Sequence, residues 1–245
     1  MGVPRPDGFF GNCDPNNSKN FRSRCSALIK TKDENVLIDT SPDMRQQLIN
    51  NKIKKIDKVF YSHMHADQTH GINDLRVFYI KRKSPIPVYA DNPTKKYLLD
   101  NFKYCFVNYV KYYPATLKLM SINNRLNIKD GKKKISIKAI KVKHGNVNSI
   151  CYIIDNKLAY ISDVSEIYKK DFKHLKNLDY LVLDCLWINK HPSHLNLEQS
   201  MKLINDLNPK KAILTNLSPI LDYNYLKKIL PKKIIPAFDG LTINL

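Results

Sequence analysis

The apolar positions of this chain change rhythm near its middle. In the first half the apolar runs are short. Cys25 to Thr31 and Val36 to Asp39 read as a strand pair around the polar turn Lys32-Asp33-Glu34-Asn35, and Val59 to Tyr61 and Pro87 to Ala90 read as further short strands. A helix is expected to start at Thr40-Ser41-Pro42-Asp43, where a hydroxyl cap precedes a proline, and another near Asn92-Pro93. Ile135 to Val142 alternates apolar and polar residues like a half-buried strand and runs on to His144-Gly145. Ile150 to Ile154 and Leu158 to Ser162 then form a hairpin around Asp155-Asn156-Lys157. Beyond it the pattern alternates: helix 165–176, strand 180–185, helix 196–207, strand 212–215, helix 222–229 and strand 234–237. Residues 1–24 read as loop, and the aromatic, Lys-rich stretch 102–134 takes no assignment. Short strands followed by βαβ-like alternation point to an α/β protein with two sheets and helices outside, built as one domain over 1–245.

Composition narrows the class. Apolar content of 43% and aromatic content of 10% belong to a globular chain, and no apolar run reaches membrane-spanning length. The first residues have no apolar core of a signal peptide. Cys13, Cys25, Cys105, Cys151 and Cys185 are scattered, odd in number and lack a C-x-x-C pair, which favours a reducing, cytoplasmic setting. Cys151 and Cys185 read as small core residues. The formal charge of +19 raises the question of nucleic acid. Yet the cations are nearly all Lys, abundant alongside Asn and Ile as in an AT-rich genome, whereas base readout and phosphate forks favour Arg. The charge is better read as a field that attracts small anions.

The chemistry sits at strand ends. Ser62-His63-Met64-His65-Ala66-Asp67-Gln68-Thr69-His70-Gly71 follows Val59-Phe60-Tyr61, so a strand ending there delivers His63, His65 and Asp67 into one loop. His144, Asp163 and Asn216 likewise end predicted strands. Alone, such a histidine is more often a satisfied structural residue. Together, three imidazoles and a carboxylate suit a borderline divalent ion such as zinc.

With these residues in view, the sequence resembles the metallo-β-lactamase-fold hydrolases, and within them the phosphoribosyl cyclic phosphate phosphodiesterases. Besides the H-x-H-x-D loop, the matching pieces are Gly2-Val3-Pro4-Arg5, Arg24-Cys25-Ser26, His144-Gly145, Ile161-Ser162-Asp163, Leu183-Asp184-Cys185, Ala212-Ile213-Leu214-Thr215 and Phe238-Asp239-Gly240. The resemblance implies an αββα sandwich: two mixed β-sheets packed face to face, with helices outside. That fold's first strand lies upstream of Met1, so either the reading frame starts earlier or the strand has been lost. The resemblance also implies that His63, His65 and His144 hold a first metal, that Asp163 bridges to a second, and that Asp67 belongs to the second. Gln68 and Asn216 stand where the family has histidines, and both departures fall on the second metal. Amide oxygens are weak zinc ligands beside neutral imidazole. One tightly bound Zn²⁺ (or Mn²⁺ or Fe²⁺) is therefore expected, with a second ion weak or absent.

Cys13 and Cys25 alone do not reproduce the Cys-rich structural zinc site of some relatives. His194, in His191-Pro192-Ser193-His194-Leu195-Asn196, matches the histidine thought to protonate the leaving group in relatives; a plain helix entry capped by Asn196 is the alternative. Arg22, Arg24 and Arg76 are open either to phosphate or to surface pairing.

The expected function is metal-dependent hydrolysis of a small anionic phosphodiester, cyclic phosphates included. Hydroxide is supplied at the ion, Asp67 accepts the attacking water's proton and His194 acts as the acid. A catalytically inactive relative serving as a binding protein is the competing reading, because of Gln68 and Asn216. An RNA endonuclease is favoured only by charge. No membrane partner is expected; the sequence does not assign an oligomeric state, and a homodimer is compatible with it.

Overall fold

A computed structural model describes residues 2–108, 113–123 and 125–245. The chain divides into two compact units, residues 24–135 and residues 1–23 with 136–245.

In residues 24–135 the strands β1 (Ala27–Lys30), β2 (Asn35–Ile38), β3 (Lys58–Phe60), β4 (Ile86–Ala90) and β5 (Leu117–Ser121) line up in chain order as one sheet. β1 and β2 form the expected antiparallel pair, Ala27 opposite Ile38. The Thr31 hydroxyl closes their turn by accepting from the Glu34 N–H at 2.9 Å. From β2 to β5 pairing is parallel, so each crossover carries helix: α1 (Met44–Asn50), α2 (Ala66–Thr69) and α3 (Arg76–Arg82), and α4 (Asn92–Phe106). α1 starts at Met44, after a turn in which the Asp43 N–H donates to Ser41 Oγ at 3.2 Å. In α4, Asp91 caps Thr94 N–H at 3.1 Å, Pro93 sits in the first turn, and Thr94, Leu98, Phe102 and Cys105 are buried at helical spacing. Met44, Val59, Tyr61, Val88 and Leu98 share one apolar core; burying each side chain of this size contributes about 1.5–3 kcal/mol. The stretch 102–134 completes α4, then supplies β5 and β6 (Arg125–Asp130); residues 109–112 and 124 of it lie outside the described residues.

The second sheet runs β12-β11-β10-β9-β8-β7-β6. Its strands are β7 (Lys133–His144), β8 (Val147–Ile154), β9 (Leu158–Ile161), β10 (Tyr180–Asp184), β11 (Lys211–Thr215) and β12 (Ile234–Pro236), with helices α5 (Leu197–Leu207) and α6 (Tyr223–Ile229). β7, β8 and β9 are antiparallel neighbours. From β9 to β12 the pairing is parallel, as the alternating pattern predicts. Asp155 and Asn156 turn the β8–β9 hairpin at φ of 51° and 52°, which short polar side chains tolerate best. Cys151 and Cys185 lie fully buried in this unit's core, as expected.

One helix is not there. Instead of a helix over 165–176, the chain makes a 3-10 helix over Lys169–His174. Its start is held extended on β7: Ser165 N–H donates to the Lys143 carbonyl at 2.7 Å, and Lys143 N–H donates to Glu166 O at 2.9 Å. Residues so anchored cannot begin a helix, and the Lys-rich remainder offers only Leu175 as a fully buried anchor.

Candidate metal and acid-base site

The histidine loop hangs from β3 and is braced by the residues that follow β2. Asp39, at φ 63°, accepts the Ser62 N–H on Oδ1 at 2.7 Å. Thr40 shares a 2.6 Å hydrogen bond with the Tyr61 hydroxyl, donates to Thr69 O at 3.1 Å, and its N–H donates to Gln68 O at 2.8 Å. Gly71 closes the loop because nothing larger fits: a Cβ there would lie 2.1 Å from Ser41 O. This frame buries His63 and leaves His65 exposed at the start of α2. His63 Nε2 and His65 Nδ1 converge to 3.0 Å, with Ser62 Oγ 3.0 Å from His63 Nδ1. Two nitrogens each about 2.0–2.1 Å from one tetrahedral zinc sit roughly 3.3 Å apart, so this pair has the spacing of two ligands to one ion. Asp67 is half-buried in the first turn of α2.

In the other unit, the tips of β7, β9, β10 and β11 gather His144, Asp163, Asp184 and Asn216, all buried. His144 Nδ1 lies 2.7 Å from the Ser193 carbonyl. A carbonyl can only accept, so Nδ1 carries the proton and Nε2 keeps its lone pair, the tautomer a metal ligand needs. Gly145 lets Ser193 approach: its φ is +58°, and a Cβ there would lie 2.8 Å from Ser193 Cβ. His144, Asp163 and His194 each offer a ligand atom, all within 4.8 Å of one another. His194 Nδ1 is 2.8 Å from Asp184 Oδ2, and that same oxygen accepts the Val164 N–H at 3.1 Å. Asn216, at φ 60°, donates from Nδ2 to Asp163 Oδ1 at 3.2 Å, Ser162 O at 3.3 Å and Asp184 Oδ1 at 3.3 Å.

These contacts set the charges. Burial pushes the Asp184 carboxyl up to about 6, although the hydrogen bond and charge of His194 pull it down and Asp163 pushes it up again. Burial disfavours the charged His194 ring, but the hydrogen bond and charge of Asp184, with Asp163 behind, win and hold its proton more tightly than usual.

Each unit thus assembles its share of the expected residues: His63, His65 and Asp67 in one, His144, Asp163 and His194 in the other. Asn196 does cap α5, accepting Gln199 N–H at 2.9 Å in a full capping box. It does so without displacing His194 from Asp184, so the two readings of that segment are compatible. Of the three arginines, Arg24 is engaged by Asp43 through Nε at 2.7 Å, Arg76 lies 4.3 Å over the Tyr113 ring, and Arg22 is buried with Nη2 3.1 Å from Cys13 Sγ. His70 bonds the Tyr97 hydroxyl at 2.9 Å. Sequence reasoning gave no role to Asp184 or Asp39. Both are carboxylates that end an apolar strand, the same signal that marked Asp163. The donor set of neutral imidazoles and carboxylate fits a borderline divalent cation. Residue for residue, Asn216 fits a second one poorly, because its amide nitrogen, a donor that cannot ligate, is turned toward Asp163.

The chain matches the beta-lactamase superfamily domain over residues 34–215 and belongs to that family. It is 30% identical over 246 residues to an octanoyltransferase of Porphyromonas gingivalis, covering 98% of this chain and 48% of that protein. The chain therefore spans about half the length of this curated relative. Among solved structures it is similar to a diphosphatase of the PhnP family, with a TM-score of 0.87 and 29% identity over 100% of this chain and 93% of the other. Zinc-bound PqqB from Methylobacterium extorquens shares the fold, with a TM-score of 0.71 and 16% identity over 91% and 88% of the two chains. Two mixed sheets with helices make this a metallo-β-lactamase fold. Among the described residues, no helix is long and apolar enough to cross a membrane.

Proposed function

We propose that this chain is a metal-dependent hydrolase of a phosphodiester or diphosphate bond in a small anionic substrate. The observation that carries the reading is the buried group at the tips of β7, β9 and β10, where a correctly tautomerised His144 and Asp163 stand beside the Asp184–His194 pair. The similarity to a PhnP-family diphosphatase supports the choice of bond. His63, His65, His144 and Asp163 are the residues that would hold one divalent ion, zinc by donor type, which makes 1–245 one functional domain. Such an ion supplies Lewis acidity and lowers the pKa of water toward neutrality. Asp67 accepts the proton of the attacking water. Asp184 keeps the His194 proton on Nδ1 and orients the ring, so that protonated Nε2 delivers its proton to the departing oxygen and leaves it as an alcohol or a phosphate monoanion. The Asn216 amide, bonded to Asp163 and Asp184, fixes both carboxylates where the family resemblance expects a second imidazole.

The test is turnover of bis(4-nitrophenyl) phosphate and of a nucleoside diphosphate ester by zinc-loaded protein. Turnover that disappears in His144→Ala and His194→Ala supports the reading, and equal turnover in either variant defeats it. Gln68 and Asn216 favour one other reading, a binding protein without turnover; metal-loaded protein that binds phosphate esters yet never cleaves them would establish it.

A further inference from the structure

The segment between β10 and α5 does more than carry His194. Its two ends are tied together: Leu186 N–H donates to Leu195 O at 3.0 Å, Leu197 N–H to Trp187 O at 2.9 Å, and Asn196 Nδ2 to Ile188 O at 3.0 Å. The loop so closed is fixed where it passes His144, through the Ser193 carbonyl and the close approach of Ser193 to Gly145. Its exposed residues include Lys190, His191 and Pro192.

His191 is held in one tautomer by this loop. Its Nδ1 receives the Ser193 backbone N–H at 3.3 Å, with Ser193 Oγ 3.2 Å away. A backbone N–H can only donate, so Nδ1 is the acceptor and the ring proton is on Nε2. The ring centroid stands 5.1 Å from that of His194. One serine therefore sets two histidines in opposite tautomers: its carbonyl frees the Nε2 lone pair of His144 for a ligand role, while its N–H leaves the His191 proton on Nε2. A metal ligand and a hydrogen-bond donor need those two different tautomers.

The geometry points to His191 as a phosphoryl-binding residue, an exposed N–H donor beside His194 that takes a nonbridging oxygen of the substrate. The inference rests on the hydrolase reading for its ligand class. In a site where Asn216 stands in place of an imidazole, the negative charge on a phosphoryl group needs donors from the chain itself, and His191, with Lys190 next to it, supplies one. A donor bonded to a charged oxygen is worth about tenfold or more in affinity.

Inorganic phosphate is the probe, titrated calorimetrically into zinc-loaded wild type, His191→Ala and His191→Gln, with metal content and melting temperature measured alongside. We expect phosphate affinity to fall tenfold or more in His191→Ala and to return to within about threefold of wild type in His191→Gln, whose amide restores an N–H donor. Metal content and melting temperature should not move. Equal phosphate affinity in wild type and His191→Ala, or no phosphate binding by zinc-loaded wild type, overturns the assignment. So does a loss in His191→Ala that is matched by lost metal, because His191 would then act only through the loop. Cleavage of bis(4-nitrophenyl) phosphate is followed separately. Wild type that binds phosphate through His191 but cleaves nothing keeps the binding residue and removes the hydrolase reading; cleavage with unchanged phosphate affinity in His191→Ala does the reverse.

Discussion

Two amides, Gln68 and Asn216, stand where the family resemblance expects the imidazoles of a second ion. Asn216 Nδ2 donates to Asp163 and Asp184 where a ligating imidazole nitrogen would present a lone pair. Restoring imidazoles should therefore restore a site. Gln68→His with Asn216→His is expected to raise bound zinc from near one to near two equivalents per chain, read by mass spectrometry after removal of excess ion; a count that stays at one would mean that more than these two ligands has been lost. The Asp184–His194 pair makes a second residue-level prediction. In Asp184→Asn the amide can donate to His194 Nδ1, which moves the ring proton to Nε2 and removes the carboxylate that stabilises the protonated ring. Turnover should drop by about 10²-fold or more, the contribution of one general acid, while bound metal stays unchanged. A wild-type rate in this variant would remove His194 from the chemistry.

At the scale of the elements, caps and strand tips decide what could be read from the sequence. Asn196 announces α5, because a short polar side chain ahead of an amphipathic run satisfies N–H groups the helix cannot, and that cap is present; the structure adds Asp222 as the cap of α6. Asn196→Ala should cost about 1 kcal/mol through the cap and lower the melting temperature by about 2–4 °C, more if the lost bond to Ile188 O loosens the loop. Asp222 does further work, accepting Asn20 Nδ2 at 2.6 Å and Asp14 N–H at 3.2 Å. Burial pushes its carboxyl up, but the hydrogen bonds from Tyr225, Asn20 and Asp14 outweigh this and hold it below the usual range. A carboxyl depressed in the folded state contributes stability that is full above its unfolded value, near 3.9, and is lost as the pH falls through the folded value. Asp222→Ala should thus melt below wild type at pH 7, and the gap should narrow below about pH 4; a gap independent of pH would mean the charge plays no part. What the sequence hid was nonlocal. The stretch 165–176 has helical composition, but Lys143 on β7 captures its first residues, and no local pattern records that. Asp184 was visible as a strand tip, whereas its partnership with His194 and Asn216 depends on which strands lie side by side. β9, β10 and β11 are consecutive in the sheet, and this brings Asp163, Asp184 and Asn216 to neighbouring tips.

At the scale of the whole molecule, the proposed ligand set names residues of both units: His63 and His65 belong to residues 24–135, His144 and Asp163 to the rest. An ion that binds only the native chain stabilises it by mass action, about 2.7 kcal/mol at a free concentration a hundred times its dissociation constant. For a chain of this size that corresponds to roughly 5–11 °C in melting temperature. Zinc should therefore raise the melting temperature of wild type by that order, and chelation should reverse it. The informative comparison is between units. If His63 and His65 alone bound the ion, His144→Ala would keep the shift; if His144, Asp163 and His194 alone bound it, His63→Ala would keep it. A shared site requires that either substitution abolish the shift while each apo variant melts close to apo wild type. Loss in only one variant would confine the metal to one unit, and the hydrolase reading would then have to be rebuilt on that unit's residues.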